Sequence, residues 1–418
     1  MCPPPQFGAY TRPDDMRIPY VLCASFVLAP AARAQHIHNH PTPSPGVAQH
    51  EADDNEFNPA ISLVIDSFAR FTNSDDAALD GADFELRLVE LGANAWIDPH
   101  TWAWIAIVAH EEEIALEEAA VQYVGFGGNS SLRAGRFFVD FGRQMQSHLE
   151  DLPYPERPGV LREYLGEELG GTGVQYGNWF TAGDSTTVRY SVGIFDSLAA
   201  EAHSEDLATP AVERTTPDRQ ELDELSLSVR LAGFTQVGEN RTFGLGASLR
   251  HIPQFTFEHD ASALAATDRS NSVYGIDASF SWTDELGQRP WTFGAEYLVN
   301  DGDIGAELDD GGTPLVTADD SLVLLDDDVS GYYLWADHEW SERDSAGLLF
   351  SRFEHPEADK PEDSELTLYY TRMLSERSRL RFAVSTLDSG EPGNDATTFV
   401  VQFTNFFGAH EHGDCRGH

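Results

Sequence analysis

The residues of this 418-residue chain best suited to chemistry are three histidines at alternate positions, His36, His38 and His40. Neutral imidazoles so spaced can donate to Zn²⁺ or Cu²⁺, and an unstructured arm can capture such an ion without a preformed cage. The same stretch also reads as a polar terminus enriched in histidine by chance. No cysteine or carboxylate completes a closed ligand set, so no resident cofactor is expected and Zn is the one candidate. His410, His412 and His418 repeat the pattern at the other end.

Catalytic signatures are missing. The chain holds no Gly-x-Ser-x-Gly, no His-Glu-x-x-His and no phosphate-cradling glycine loop, which argues against an enzyme. With 70 acidic against 26 basic residues the net charge is −44, and no basic patch offers a footing for nucleic acid. Ten of the acids fall between Asp301 and Asp328 with no Lys or Arg among them. Such a run either concentrates cations or belongs to a salt-adapted surface. The spacings Asp301-x-Asp303 and Asp326-Asp-Asp328 lack the ligand order of a calcium loop.

A second set of charges is more instructive. Arg189, Arg230, Arg250, Glu296, Glu365, Arg379 and Arg381 sit inside segments that otherwise alternate apolar and polar, always on the polar face. In 272–283, Tyr274, Ile276, Ala278, Phe280 and Trp282 share one side, while Gly275, Asp277, Ser279 and Ser281 share the other. Near the end, Phe399, Val401, Phe403 and Phe407 again share one face. Strands greasy on one side and charged on the other, in a chain with no apolar run of about 18 residues after residue 34, point to an all-β transmembrane antiparallel barrel. Lipid meets the apolar face. The seven charged residues are then expected to line the pore, either as ion-pair ladders in the wall or as selectivity determinants.

The pattern gives about sixteen strands, near 60–72, 84–98, 101–110, 114–124, 131–141, 173–180, 186–195, 222–237, 242–251, 272–283, 291–300, 329–340, 346–354, 365–373, 379–387 and 397–407. Every second junction is short and polar, as periplasmic turns are, and the others include the long segments 142–171, 197–221, 252–271 and 301–328, as extracellular loops do. Trp102, Trp104, Tyr123, Trp179, Trp282, Trp291 and Trp340 fall near strand ends, where interfacial girdles form.

The N-terminus fits export. Arg17 precedes an apolar run and a small-x-small site at Ala32-Arg33-Ala34, so residues 1–34 read as a signal peptide, with Met16 as the candidate true start. Cys2 and Cys23 lie in or before that leader, leaving only Cys415 and no internal disulfide. The chain then divides into a flexible His-containing periplasmic arm at 35–56, a barrel at 57–407 and a His-containing tail at 408–418.

The stretches Gly81-Ala-Asp-Phe-Glu-Leu-Arg-Leu-Val-Glu-Leu-Gly-Ala-Asn-Ala-Trp-Ile-Asp98, Leu116-Glu-Glu-Ala-Ala-Val-Gln-Tyr123, Leu132-Arg-Ala-Gly-Arg-Phe-Phe-Val-Asp-Phe-Gly142 and Gly173-Val-Gln-Tyr176 resemble porin-type outer-membrane barrels of Gram-negative bacteria, in particular a poorly characterised family often associated with zinc-regulated genes. The resemblance implies location in the cell outer membrane, contact with the lipid bilayer and lipopolysaccharide, insertion by the barrel-insertion machinery, and a monomer or trimer. It also implies that the connection 142–171, with Pro153, Pro155, Pro158 and the helical-looking 159–165, folds inward to narrow the lumen. Glu150, Asp151, Glu156, Arg157, Arg162, Glu163, Glu167 and Glu168 would then face the wall arginines and set a transverse field. The bland alternative is a solvated loop over the rim. The expected function is a porin-like channel for passive diffusion of small hydrophilic solutes or ions. Its alternative is a zinc-binding or uptake-associated receptor whose barrel is plugged by its own loops.

Overall fold

A computed structural model of the protein describes residues 59–74, 80–110, 114–198, 212–217, 219, 221–259, 264–284, 289–309, 321–355, 362–390 and 393–408. The expected leader, the expected arm with His36, His38 and His40, and the expected tail beyond Gly408 lie outside the described residues.

Period-two alternation produces strands β1 (Ala60–Ser74), β2 (Gly81–Asp98), β3 (Thr101–Ala109), β4 (Ile114–Tyr123), β5 (Ser130–Phe138), β6 (Gly170–Ala182), β7 (Thr186–Phe195), β8 (Val212–Thr215), β9 (Ser226–Gln236) and β10 (Arg241–His259). These are followed by β11 (Ala265–Trp282), β12 (Trp291–Gly302), β13 (Gly305–Asp309), β14 (Ser321–Leu325), β15 (Val329–Ser341), β16 (Asp344–Phe353), β17 (Asp363–Ser375), β18 (Ser378–Asp388) and β19 (Ala396–Gly408). All but β8, β13 and β14 form one closed antiparallel barrel of 16 strands. Closure is made by β1 against β19, from Ser62 opposite Gly408 to Ser74 opposite Ala396. Every barrel strand therefore has two neighbours and no ladder edge of the barrel is left bare, which a hydrocarbon surround demands.

The alternation sorts faces as the chemistry requires. Along β11, Tyr274 and Ile276 are 46% and 59% exposed on the outer side, while Asp277 is 4% exposed on the inner. The inner face is not uniformly polar, however. Val273, Leu298, Tyr333, Trp335, Leu349, Phe353 and Tyr369 are buried there in one cluster with residues of the 139–169 connection.

Several sequence expectations change. Residues 252–271, expected as a long loop, are largely ladder: β10 and β11 run on past Ile252, with register shifts at Phe255, and β8 pairs with the far end of β10. The acidic stretch 301–328 carries the β13–β14 hairpin. Residues 222–224 form a 3₁₀ turn, not the start of β9. β5 stops at Phe138, three residues early, because Val139 to Phe141 leave the wall and are buried inside. Trp102 and Trp104 do not join an outer girdle: they share the face of the buried Ala106 and Val108, and the Arg133 guanidinium lies 5.4 Å from the Trp104 ring. Trp282 and Trp291, opposite one another in the register, stack at 6.5 Å at a short turn, as a girdle pair would.

Candidate functional site

The connection between β5 and β6, residues 139–169, touches side chains of β2, β4, β7, β9, β10, β12, β16, β17 and β18. A segment can reach strands around a whole closed wall only from within it. The loop therefore crosses the lumen, as the resemblance implied, and is not a rim loop.

Its entry is fixed by charge. Asp140 accepts a hydrogen bond from Arg189 at 3.0 Å and another from Ser191 at 2.8 Å, and it pairs with Arg230 at 3.4 Å; Arg230 also pairs with Asp277 at 2.8 Å. Gly142 then adopts φ 53°, and a Cβ there would lie 2.1 Å from Oε1 of Glu296. Only glycine allows the backbone that close in that conformation. Glu296 accepts from the Arg143 N–H at 3.3 Å and from the Tyr333 hydroxyl at 2.8 Å.

Further along, Pro153, Pro155 and Pro158 remove N–H donors and prevent a regular ladder, so carbonyl oxygens are left to be satisfied from outside. Wall arginines do this. Arg379 donates to the Glu150 carbonyl, Arg381 to that of Leu152 at 2.7 Å and Arg87 to that of Pro155 at 2.8 Å. Arg157, 2% exposed, donates to the carbonyls of Gln144 and Ser147, both at 2.5 Å, and ties the loop to itself.

A short helix, α1 (Gly159–Leu165), completes the crossing. Glu365 of β17 accepts from the first helical N–H at 3.1 Å and from Arg162 at 2.5 Å, while Arg250 of β10 donates to the Tyr164 carbonyl at 3.1 Å. An acid at the N-terminus and a cation at the C-terminus complement the orphan groups and the dipole of the helix. All seven residues expected to line the pore thus hold the loop: Arg189 and Arg230 its entry, Glu296 its first turn, Arg379 and Arg381 its middle, Glu365 and Arg250 the two ends of α1. Just beyond the end of β16, His355 bridges Glu163 and Asp363 at 3.1 Å each. The Glu163 contact, against the opposing effect of burial and with help from Asp363, holds this imidazole up to about 9.

No protein-family model matches the chain, and no curated protein matches it. Solved structures do. An anion-selective porin from Comamonas acidovorans superposes with a TM-score of 0.52 at 12% identity, over 84% of this chain and 99% of that one. OprB of Pseudomonas putida gives 0.53 at 11% identity, over 84% and 94%. The outer-membrane channel DcaP of Acinetobacter baumannii gives 0.50 at 8% identity, over 84% and 97%. The fold is that of outer-membrane porins.

A group that sequence reading missed lies where this porin-like loop rests on β2 and β4. His148 is 1% exposed; its Nδ1 stands 3.2 Å from Glu90 and 3.0 Å from Glu117, and its Nε2 3.3 Å from Glu118. Glu117 and Glu118 are chain neighbours, and strict alternation would turn one of them to lipid. A bulge in β4 prevents that: Ala106 pairs with Glu118 but Ile107 pairs with Leu116, so Glu117 is the extra residue and both carboxylates point inward. Burial works against a charged His148, yet Glu117, Glu90 and Glu118 outweigh it and hold the imidazole well above its ordinary pKa. Burial, reinforced by Glu90, raises the Glu150 carboxyl well above the usual range, and burial with Glu117 does the same to Glu168. The one available signal was a pair of acids, Glu117-Glu118, interrupting a strand.

Proposed function

We propose that the protein is a passive outer-membrane channel for small hydrophilic solutes or ions, with its bore set by the inward loop. The supporting observation is that loop itself: a segment held across the lumen by charged residues from opposite walls narrows a wide barrel to a charged passage. In this reading Arg189, Arg230, Arg250, Glu296, Glu365, Arg379 and Arg381 act on solutes indirectly, through the loop they position. Lipid, lipopolysaccharide and the insertion machinery are its partners, and it works as a monomer or trimer.

Planar-bilayer recording of the purified protein tests the proposal. Steady conductance is expected, and a salt gradient should give a reversal potential of modest cation-selective sign, because acidic loops outweigh arginines already engaged with the loop. An anion-selective sign would assign control to those arginines. A second reading is favoured by the loop's apolar packing, with Val160, Leu161 and Leu165 fully buried: a receptor whose barrel its own loop closes. In that reading His36, His38 and His40 capture Zn²⁺ in the periplasm, and no conductance is expected.

A further inference from the structure

We propose that Glu90, His148 and Glu150 form a binding site for one divalent first-row metal ion, inside the barrel where the inward loop meets β2 and β4. Ligand atoms of these three residues lie within 4.8 Å of one another, and all three residues are about 1% exposed. With metal–ligand bonds of about 2.0–2.2 Å, ligands on opposite sides of an ion stand up to about 4 Å apart, so side-chain movements of under an ångström would close the set.

Three observations give the arrangement its meaning. The first is an unanswered group: Oε1 of Glu150 is buried and accepts no hydrogen bond among the described residues. A carboxylate oxygen removed from water without a donor is costly unless a proton or a cation meets it. The second is the bulge, which directs Glu117 as well as Glu118 at His148 and so adds carboxylates where Glu90 and Glu150 already converge. A strand built only to close a wall has no use for that distortion, since regular pairing would place one acid inside. The third is space. Between β2 and β4 the inner face of β3 carries Ala106 and Val108, small side chains that leave room for the imidazole to approach both flanking strands.

Ligand chemistry defines the class of ion. One imidazole nitrogen among carboxylate oxygens suits Zn²⁺, Co²⁺, Ni²⁺ or Mn²⁺, whereas Ca²⁺ and Mg²⁺ prefer oxygen alone. Two positive charges would also offset an interior where carboxylates outnumber nearby cations. The site differs from the set His36, His38 and His40 in composition: it includes acids, and it joins the loop to the wall.

The test uses the full chain, folded in detergent, with His36, His38, His40, His50, His410, His412 and His418 replaced by alanine so that terminal histidines do not contribute. Zn²⁺ titrated calorimetrically should bind at one ion per chain. Co²⁺ in its place should give a visible ligand-field band. His148→Gln should abolish that band and weaken Zn²⁺ at least about 100-fold, and Glu150→Gln should weaken it more than about tenfold. His355→Gln should leave binding unchanged. Heat-modifiable gel mobility verifies that each variant is a folded barrel. Absence of Zn²⁺ binding in the folded parent, or equal affinity in the parent and in folded His148→Gln and Glu150→Gln, overturns the proposal.

Discussion

The inward loop meets the barrel wall along two flanks that follow opposite electrostatic rules. Toward β10 and β18 the wall presents arginines and the loop presents backbone carbonyls, so each guanidinium meets partial charges arranged to receive it. Around His148 both sides present carboxylates, Glu90 of β2 with Glu117 and Glu118 of β4 on the wall and Glu150 on the loop. The first flank is a finished anchorage, in which removing any piece leaves a buried group unpaired. The second holds surplus charge of one sign, and removing a carboxylate relieves it. A fold that needed only to hold its loop would have built two flanks of the first kind.

The largest expected effect comes from breaking the anchored side. Arg381→Met leaves the Leu152 carbonyl, Gln402 and Thr371 without a donor, in a place where the arginine is 2% exposed. A loss of about 2–3 kcal/mol is expected, appearing as a lower denaturant midpoint with the slope unchanged. A neutral result would mean that water replaces the guanidinium freely and that the loop is held by its apolar packing.

A smaller effect of opposite sign is expected on the acidic side. In the presence of a chelator, Glu150→Gln should raise stability by about 1 kcal/mol, since it removes one buried carboxylate from the repulsion among Glu90, Glu117 and Glu118. If Glu150→Gln and Arg381→Met destabilise alike under those conditions, the two flanks do not differ in kind.

The smallest effect concerns the latch at the ends of β16 and β17. An imidazole whose ordinary value is about 6.5 is held up to about 9 between Glu163 and Asp363, so its folded-state pKa is raised. Its contribution is therefore complete below about pH 6.5 and is lost as pH rises through about 9. His355→Asn should flatten the stability profile in that window and leave the acid side unchanged. Imidazole resonances titrating near the unperturbed value would remove the latch from the account.

How much of this was legible in the sequence follows from which forces leave a periodic trace. Strand positions were readable because every wall residue faces either lipid or lumen, which stamps a period of two on the chain. The start and end of α1 at 159 and 165 were readable for a different reason, since Pro158 stands just before the helix and Gly166 just after it. Features that break the period were lost. The β4 bulge hides the shared direction of Glu117 and Glu118, and Pro253 with the polar run near 267–272 disguises the outer parts of β10 and β11 as a loop. The seven charged residues were placed on the inner face, yet what they hold was invisible: a backbone carbonyl is present in every residue, so an arginine that seeks one has no partner to be read from side-chain identities. Trp102 and Trp104 misled because nearness to a strand end says nothing about which face a ring occupies.

The seats that hold the loop also impose an order on assembly. Arg379 stands 229 residues from the Glu150 carbonyl it grips, and Arg381 the same distance from that of Leu152. A chain made from its N-terminus completes the loop long before β17 and β18 exist, and the entropy of closing so long a span is recovered only when those strands arrive. The middle of the loop and the start of α1 therefore cannot be fully seated until β17 and β18 are in place. The last seats of the loop and the closing ladder of β1 against β19 are thus supplied by the same C-terminal part of the chain, so a barrel that has not closed also holds a loop that is not fully seated.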